Sequence, residues 1–461
     1  MSTWDVEADA VIAGAGGAGL AVAASLCGKL PNVQVVLVEK NSRLPNNSRI
    51  SHGLVAACGT RFQRLAGVSD DSPSLMTSDI LRANGYTSDP GLTLACCTNS
   101  ARVIHWFADD LKVPITFAPE AEWIGHTRPR MHAHPERSGV PLVEALQRFV
   151  IRQAGVTFAD RTPLSKLITG ESGDVEGIET GHGSSVQRIR GEHVVLATGG
   201  FGANVELLRT YTSCADLPYL GSQTSTGEAV LAGASAGAGL DSMSGYEALG
   251  FATPHGTRIS PGVVAAGGIV VDGQGRRFCR EDVSHSTWAA NLSESANSVA
   301  IALWDQQIHT KLAETSTMRE SQRAGAIVQG ADASELSATL RLDCGTLTTT
   351  IAEYNDAVTS RLDRLGRQLL PQQLRPPLYA ARIVAALAHT QGGLKIDVHG
   401  RVLTSHGNRI PHLYAVGGAA VGVSGPRPDG YLAGNGLLTT YTLGWMVGQF
   451  IAGQISAART S

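Results

Sequence analysis

Residues 8–40 read ADAVIAGAGGAGLAVAASLCGKLPNVQVVLVEK, and this stretch decides the fold. A short apolar run of strand length leads into three glycines in G-x-G-x-x-G spacing, Gly14, Gly16 and Gly19. Good helix formers follow the glycines, and a second apolar run ends in Glu39. The order strand, glycine-rich turn, helix and strand predicts the start of an α/β domain with a parallel sheet.

The residue types of this motif suit a bound dinucleotide. Gly14 allows the tight turn from strand to helix, Gly16 lets the backbone approach a pyrophosphate, and Gly19 lets the helix pack closely on the strand. The helix N-terminus offers N–H groups and a partial positive charge to the phosphates. Glu39 can accept hydrogen bonds from ribose hydroxyls. The motif therefore predicts a dinucleotide site; an ordinary glycine-rich turn is the alternative.

The composition is that of a globular protein with more than one domain. The chain has 461 residues, of which 43% are hydrophobic and 17% charged, and this length exceeds one simple core. The formal net charge of −3 gives no reason to expect nucleic acid or an anionic membrane as a partner. Seven cysteines without C-x-x-C or zinc spacing predict buried, reduced thiols. Together with the polar start of the chain, they predict a cytoplasmic protein.

Changes of composition predict a nucleotide-binding domain that is interrupted by a second domain. The composition changes after about residue 240, and the character of the nucleotide domain returns at His389. We therefore expect a discontinuous Rossmann-like domain over residues 1–239 and 389–461. The inserted α+β domain is expected over residues 240–388.

Apolar periodicity predicts several helices. Spacings of three and four predict helices over residues 78–113 and 139–154. The apolar stretch 437–455 contains threonines and glycines, so we expect a buried closing helix there rather than a membrane span.

Short apolar runs bounded by turn residues predict further strands. Residues 156–159, 165–169 and 175–180 are expected to form a small antiparallel sheet. Short strands are also expected within residues 264–278, around a turn rich in Gly and Asp.

Two loops carry candidate binding residues. In the loop after Glu39, three small polar side chains suit a ribityl chain or a phosphate, namely Asn47, Ser48 and Ser51; a plain surface loop is the alternative. The second loop is rich in Pro, Arg and His, with His126, His132 and His134 as its histidines. Because no cysteine or carboxylate completes a ligand set, we expect no metal there. Its arginines, Arg128 and Arg130, are suited equally to an anionic group or to solvent.

These motifs together resemble those of the flavoprotein family of fumarate reductases, succinate dehydrogenases and 3-ketosteroid dehydrogenases. The matching pieces are the early G-x-G-x-x-G with Glu39, Asn46-Asn-Ser48, Ala197-Thr-Gly-Gly-Phe201, Thr226-Gly-Glu228, Gly275-Arg-Arg-Phe-x-x-Glu281, His389-Thr-x-Gly-Gly393, Ile410-Pro-x-Leu-Tyr-Ala-x-Gly417 and Gly434-Asn-Gly436. The resemblance implies FAD in the split domain, with the inserted domain as a capping and substrate domain. It also implies non-covalent FAD, because Asn47 stands where relatives with covalent flavin have histidine.

The resemblance assigns the FAD contacts to the glycine-rich turns and the polar loop. The expected FAD-binding residues are Gly14, Gly16, Gly17, Ala18, Gly19, Glu39, Lys40, Asn47, Ser48, Ser51, His52, Gly53, Ala197, Thr198, Gly199, Gly200, Gly417, Gly434, Asn435, Gly436 and Leu437.

Departures from the family pattern indicate the kind of substrate. His285 stands where fumarate reductases have a proton-delivering arginine, and Tyr431 stands where a second arginine clamps fumarate. Without these guanidiniums, a dicarboxylate lacks its bidentate partners. Steroid dehydrogenases of the family instead carry tyrosines, one of which binds the ketone, and Tyr431 fits that role.

The resulting hypothesis is an FAD-dependent desaturase acting next to a ketone. Tyr431 binds the carbonyl oxygen, and His285 removes the α-proton while the β-hydride passes to the flavin. His389 orients the substrate or serves as an alternative base, and Arg427 pairs with a substrate carboxylate. A domain-interface role for His285, a packing role for Tyr431 and a surface role for Arg427 are the alternatives.

The expected substrate is a small cyclic ketone or keto acid, such as an oxocyclohexanecarboxylate, or a 3-ketosteroid. The electron acceptor is expected to be external, or oxygen, because the chain has no haem-binding C-x-x-C-H and no iron–sulfur cysteine pattern. A reductase of an activated C=C bond is the main alternative, and a non-catalytic flavin-binding electron-transfer subunit is a second one.

Overall fold

The computed structural model describes residues 4–119, 125–181, 186–283, 285–294 and 299–460, and their side chains apart from those of His285, Ser293, Glu294 and Ser316. The chain forms two compact units. Unit 1 comprises Met1–Asp216, Gly221–Glu247 and His389–Ser461, and unit 2 comprises Leu217–Leu220 and Ala248–Ala388. The chain thus leaves unit 1 briefly for Leu217–Leu220, and leaves it again after Glu247 to re-enter it at His389.

The described strands, in chain order, are β1 (Val6–Ala13), β2 (Val35–Glu39), β3 (Val55–Ala56), β4 (Thr116–Phe117), β5 (Met131–Ala133), β6 (Val156–Asp160), β7 (Leu164–Thr169), β8 (Val175–Thr180), β9 (Gln187–Leu196), β10 (Leu240–Asp241), β11 (Tyr246–Ala252), β12 (Ile269–Val271), β13 (Val299–Asp305), β14 (Val328–Gly330), β15 (Leu378–Thr390), β16 (Gly393–Leu394), β17 (Arg401–Leu403) and β18 (Arg409–Ala415).

The described helices are α1 (Gly17–Lys29), α2 (Asn47–Ile50), α3 (Arg61–Leu65), α4 (Pro73–Ala83), α5 (Pro90–Asp109), α6 (Val140–Val150), α7 (Val205–Tyr211), α8 (Glu228–Ser235), α9 (Gly262–Ala265), α10 (His285–Glu294), α11 (Gln306–Leu312), α12 (Ser316–Arg323), α13 (Ala333–Leu340), α14 (Cys344–Ser360) and α15 (Asn435–Thr460).

The centre of unit 1 is a mixed sheet formed by eight of the described strands. Its middle is parallel, in the order β6, β2, β1, β9 and β18, while β17 pairs antiparallel with β18 and the β7–β8 hairpin extends β9. The carboxyl ends of β1 and β9 lie side by side, with Ala13 opposite Leu196. This register places Gly14 next to Ala197, where a doubly wound sheet binds its ligand.

Helices α1 and α15 pack on each other through glycines. A Cβ added at Gly444 would lie 2.8 Å from the Ala18 carbonyl oxygen, and one added at Gly448 would lie 2.6 Å from that of Val22. Apolar residues of α15 such as Leu438, Val447 and Ile451 are buried, as expected from the closing apolar stretch. None of the helices that the structure describes is long and apolar enough to cross a membrane.

Unit 2 contains an antiparallel arrangement of β12, β13, β15 and β14. A buried ion network supports it. Arg277 donates to Glu281 (2.8 Å) and to Asp363 (2.6 Å), and Arg367 donates to Glu281 (3.3 Å) and to the Gly268 carbonyl oxygen (2.8 Å). Glu281 also accepts from the N–H of Val270 (3.2 Å), so the network fixes the segment that leads to α10.

Three predicted elements are wrong in detail. Residues 78–113 form two helices, because α5 starts afresh at Pro90, with Asp89 capping the N–H of Leu92 at 2.7 Å. Residues 156–159 belong to β6, which pairs in parallel with β2 because the chain returns through α6. Residues 264–278 contain the end of α9 and a single described strand, β12.

The cysteines are free thiols. Five are buried, as predicted, namely Cys27, Cys58, Cys96, Cys97 and Cys214, whereas Cys279 is partly exposed and Cys344 is exposed, so the prediction was wrong for these two. Burial raises the pKa of Cys27 and Cys58 to about 11, which keeps these thiols protonated and unreactive.

Candidate active site

The nucleotide turn, residues 14–19, leaves no room for a side chain at Gly14 or at Gly19. Gly14 has a φ of +109°, and a Cβ there would lie 2.3 Å from the Ala197 carbonyl oxygen. A Cβ at Gly19 would lie 1.9 Å from the Gly14 carbonyl oxygen. These contacts hold the start of α1 against the ends of β1 and β9.

The space in front of α1 suits a phosphate group. Gly16 precedes the helix in an extended conformation, and no described side chain caps the helix. The nearest atom to a Cβ added at Gly16 would be the Cβ of Asn46, 3.8 Å away. The first N–H groups of α1 therefore face a space that a pyrophosphate can enter.

A cleft adjoins the nucleotide turn, with Ala15, Leu37, Glu39, Leu44, Asn46 and Phe158 among its lining residues. The Glu39 carboxylate accepts hydrogen bonds from the N–H groups of Ala15 and Asn41, both at 2.9 Å. These contacts fix the carboxylate in the cleft, where its remaining lone pairs can accept from ribose hydroxyls. A cleft lined by both apolar and polar side chains, with one fixed carboxylate, fits an adenosine.

Other predicted FAD contacts assemble around the same turn. Ala18 packs on Gly417, where an added Cβ would lie 2.7 Å from the Ala18 Cβ. Ser48 lies against Gly17, since a Cβ there would be 2.4 Å from its Oγ. The hydroxyl of Thr198 accepts from the N–H of Ala229 (3.1 Å).

Several other predicted residues contact protein groups. Lys40 forms an ion pair with Glu228 and donates to the Thr226 hydroxyl (2.5 Å). The Asn47 amide oxygen accepts from the N–H of Ser222 (2.6 Å), and Ser51 donates to the Ser48 carbonyl (2.7 Å). Two glycines are closely packed: a Cβ would lie 2.3 Å from the Ser138 carbonyl oxygen at Gly53, and 2.2 Å from the Thr390 hydroxyl at Gly200. His52 and Gly199, which has a φ of +81°, stand in these same segments.

A second glycine-rich turn starts α15, of which Leu437 forms part of the first turn. Gly434 has a φ of +89° and packs on Ala56, where a Cβ would approach to 2.8 Å. Asn435 is buried and donates to the Ser424 hydroxyl (3.0 Å), but the described residues offer its Oδ1 no hydrogen-bond partner. A buried acceptor of this kind fits a donor group of a bound cofactor.

Three side chains of unit 1 form a hydrogen-bonded group, which we name the acid cluster: Glu247, His389 and Tyr431. Nε2 of His389 lies 2.7 Å from the Glu247 carboxylate, and the Tyr431 hydroxyl is hydrogen-bonded to the same carboxylate. The rings of His389 and Tyr431 meet edge to face, 5.6 Å apart. The N–H of Gly436 donates to the Tyr431 oxygen at 3.3 Å, which attaches the acid cluster to the glycine-rich turn that starts α15.

The environment shifts the pKa of both ring side chains upward. Burial by itself lowers the pKa of His389. The charge of Glu247, the hydrogen bond to Glu247 and the Thr390 carbonyl together raise it by more, so the net shift is upward. The pKa of Tyr431 is raised well above its ordinary value, first by burial and then by Glu247. Tyr431 is therefore a neutral hydrogen-bond donor at physiological pH, while His389 is protonated more readily than a free histidine.

Arg130 and its partners hold the glycine-rich turn that starts α15, which we name the α15 turn. Arg130 is fully buried and donates to Asp71 (2.9 Å) and to Asp79 (2.6 Å). It also donates to Nδ1 of His126 (3.2 Å), so Nε2 of His126 carries the proton and donates to the Ala433 carbonyl oxygen (2.9 Å). Burial lowers the pKa of His126 to about 4. Arg130 is thus neither solvated nor free to bind an anion.

The other residues of that loop also contact protein. Arg128 is partly exposed and donates to Asp70 (2.6 Å). His132 is buried between the Thr60 hydroxyl (2.8 Å) and the Arg130 carbonyl oxygen (2.9 Å). Within the described part of the chain, no group of three or more side chains could hold a metal ion.

The two remaining predicted catalytic residues are His285 and Arg427. His285 begins α10 of unit 2, and its side chain is outside the described residues. Arg427 is exposed, and its Nε donates to the Asp429 carboxylate at 2.9 Å.

Glu247 is the site residue that sequence reasoning missed. It is the one acid in the run YEALGFA of β11. An acid inside an otherwise apolar strand is the feature of the sequence that could have indicated a functional residue there.

Comparisons with known proteins find relatives that match nearly the whole chain. The chain is 26% identical to the probable fumarate reductase Ifc3 of Shewanella frigidimarina over 456 residues, which are 95% of this chain and 74% of that protein. Its fold is similar to the open conformation of a flavocytochrome c3 fumarate reductase, with a TM-score of 0.82, 25% identity, and coverage of 98% of this chain and 79% of that chain. It is also similar to 3-ketosteroid-Δ4-(5α)-dehydrogenase from Rhodococcus jostii RHA1, with a TM-score of 0.79, 23% identity and coverage of 98% of each chain.

The family model of the FAD binding domain matches residues 9–437, which include the nucleotide turn and the α15 turn. The α/β fold class, the family resemblance and the FAD cofactor predicted from the sequence are thereby confirmed. The open space at Gly16, the cleft beside Glu39 and the buried acceptor on Asn435 fit such a cofactor. The chain therefore belongs to the FAD-binding-domain family of flavoproteins, and it is an FAD-dependent oxidoreductase.

Proposed function

We propose that this enzyme interconverts a saturated carbonyl compound and its α,β-unsaturated counterpart, and that it acts as a desaturase of a ketone. The observation that carries the proposal is the buried, neutral Tyr431 hydroxyl next to the start of α15. This hydroxyl lies beside His389, and its oxygen accepts hydrogen bonds from the backbone N–H groups of Gly434 and Gly436. An uncharged donor held in this way suits a carbonyl oxygen that becomes more negative during reaction.

We assign the FAD to unit 1 residues in the same proposal. The nucleotide turn would hold the pyrophosphate and the cleft beside Glu39 the adenosine. The buried Asn435 and the N-terminus of α15 would contact the pyrimidine end of the flavin. Bound FAD supplies the hydride acceptor.

The protein residues supply binding and proton transfer. A substrate carbonyl oxygen takes the hydrogen bond of Tyr431, which makes the adjacent α-proton easier to remove. By the family resemblance, His285 is the residue that removes this proton. His389 orients the carbonyl group. The electron acceptor is external, or oxygen.

Reduction of an activated C=C bond is the second candidate. It is favoured by the likeness to a probable fumarate reductase over 95% of this chain. Against fumarate itself, a tyrosine stands at position 431 where the resemblance expects a carboxylate-binding arginine, and a glutamate contacts that tyrosine.

Anaerobic mixing of the purified holoenzyme with cyclic ketones, keto acids and 3-ketosteroids tests the direction and the substrate class. We expect one ketone class to bleach the flavin absorbance. If no ketone does so, and an enone or enoate reoxidises the chemically reduced enzyme, the enzyme is a reductase.

A variant of His285 tests whether this residue removes the α-proton. His285→Ala is expected to bind FAD and to lose at least 100-fold of the bleaching rate, in the range of general-base contributions. The exposed His255 in unit 2 provides the control, His255→Ala. An unchanged rate in His285→Ala would remove the assignment.

A further inference from the structure

We infer that Glu247 determines which substrates the acid cluster accepts: its carboxylate holds His389 and Tyr431 in place and rejects a substrate that presents a carboxylate to them. The inference rests on the proposed function, in which Tyr431 contacts the substrate carbonyl oxygen.

The contacts of Glu247 show that it holds His389 and Tyr431 in place. One carboxylate binds two side chains, Nε2 of His389 at 2.7 Å and the hydroxyl of Tyr431. The side-chain amide nitrogen of Gln391 lies 2.9 Å from Nδ1 of His389 and fixes the other edge of the ring. The Gly436 N–H fixes the Tyr431 oxygen at 3.3 Å. Both rings are therefore oriented before a substrate arrives.

The Tyr431 hydroxyl has a single hydrogen, and this limits which substrates can bind to it. A substrate oxygen that accepts this hydrogen competes with Glu247 for it. Two acceptors within hydrogen-bond distance of one hydroxyl are at most about 6 Å from each other. A substrate bound to Tyr431 thus places its oxygen atom close to the Glu247 carboxylate.

The charge of that oxygen then decides whether binding is favourable. A ketone oxygen carries no net charge, whereas a carboxylate brings a second negative charge beside Glu247. The Glu247 side chain is only 12% exposed, so solvent screens this repulsion weakly. A protonated His389 offsets this repulsion only in part, because its Nε2 is hydrogen-bonded to Glu247 and does not donate to the substrate carboxylate.

Glu247→Gln tests the inference because glutamine keeps the shape and removes the charge. The holoenzyme with oxidised FAD is titrated with fumarate, a dicarboxylate, and with cyclohex-2-enone, an uncharged enone, and binding is followed by the change in flavin absorbance. We expect Glu247→Gln to bind fumarate at least tenfold more tightly than the unchanged protein. The affinity for cyclohex-2-enone is expected to change by less than threefold.

Two further variants separate charge from shape. Glu247→Asp keeps the charge, so we expect it to bind fumarate as weakly as the unchanged protein. Glu353→Gln removes an exposed carboxylate of α14 and serves as the matched control. Equal fumarate affinity in Glu247→Gln and the unchanged protein overturns the inference, and so does a tenfold gain in Glu247→Asp.

The titration also separates this inference from the proposed function. Neither probe requires turnover, so the role of Glu247 is decided even if no ketone bleaches the flavin. Conversely, a ketone that bleaches the flavin supports the desaturase whatever the fumarate titration gives.

Discussion

The nucleotide turn and the acid cluster lie in the same unit, but they are built in different ways. The turn is a short continuous segment in which backbone atoms pack so closely that a single methyl group does not fit at Gly14 or Gly19. The acid cluster takes one side chain from each of three separate stretches, joined by hydrogen bonds to Glu247. The turn should therefore be sensitive to added volume, and the acid cluster to charge and to its distant supports.

The largest effect is expected from a methyl group in the nucleotide turn. Gly19→Ala places a Cβ 1.9 Å from the Gly14 carbonyl oxygen, so the turn must open. We expect FAD affinity to fall at least 1,000-fold, which corresponds to about 4 kcal/mol. The ratio of flavin to protein after purification measures this loss.

A second glycine of α1 provides the control. A Cβ at Gly28 would lie 3.7 Å from Phe149, an ordinary contact, so Gly28→Ala should keep its FAD and gain about 0.5–1 kcal/mol of stability. Full FAD content in Gly19→Ala would show that the turn tolerates volume after all.

The next effect tests how much the buried ion pairs of Arg130 stabilise the protein. Arg130→Met leaves Asp71 and Asp79 buried without their cation, and His126 without its donor. Breaking a buried pair in this way costs about 3–4 kcal/mol of unfolding free energy. Urea unfolding of the holoenzyme measures it, and Arg128→Met, at an exposed ion pair, should leave the midpoint unchanged. A loss of less than 1 kcal/mol would contradict the supporting role.

A smaller effect should depend on pH. Because the folded pKa of His389 lies above its ordinary value of about 6.5, its contact with Glu247 stabilises the protein fully below that value. The contribution is lost as the pH rises through the raised pKa. The difference in urea midpoint between the unchanged protein and His389→Gln should therefore be larger at pH 6 than at pH 9. The exposed His406→Gln is the control, and a larger difference at pH 9 would reverse the sign of the interaction.

The smallest effect is expected at Arg427. Its guanidinium is exposed and already contacts Asp429, so Arg427→Gln should leave the bleaching rate and half-saturating concentration of a ketone within twofold. A tenfold rise of that concentration for a keto acid alone would instead assign Arg427 to the substrate carboxylate.

The nucleotide turn could be predicted from the sequence because its physics is local. Gly14 and Gly19 are each required by a contact within or next to the turn, Gly16 leaves space for a phosphate, and Glu39 is the last residue of the second strand. Spacing alone therefore identifies the turn.

The acid cluster could be predicted only in part. His389 and Tyr431 stand out through the family resemblance, but nothing in the local sequence of Glu247 indicates which side chains it meets. Arg130 shows the same limit, since its loop looks polar and its burial is decided by Asp71 and Asp79. The prediction for residues 78–113 is wrong for a local reason, because apolar spacing continues through Pro90, where α5 begins as a separate helix.

The contact between Glu247 and His389 has a consequence for how this fold can evolve. These two residues are where the chain leaves unit 1 and where it returns, so in unit 1 the two ends of the segment from Ala248 to Ala388 are neighbours. Proteins tolerate an inserted segment best when its ends are adjacent. An exchange of that segment can therefore leave the nucleotide turn and the borders at Glu247 and His389 unchanged.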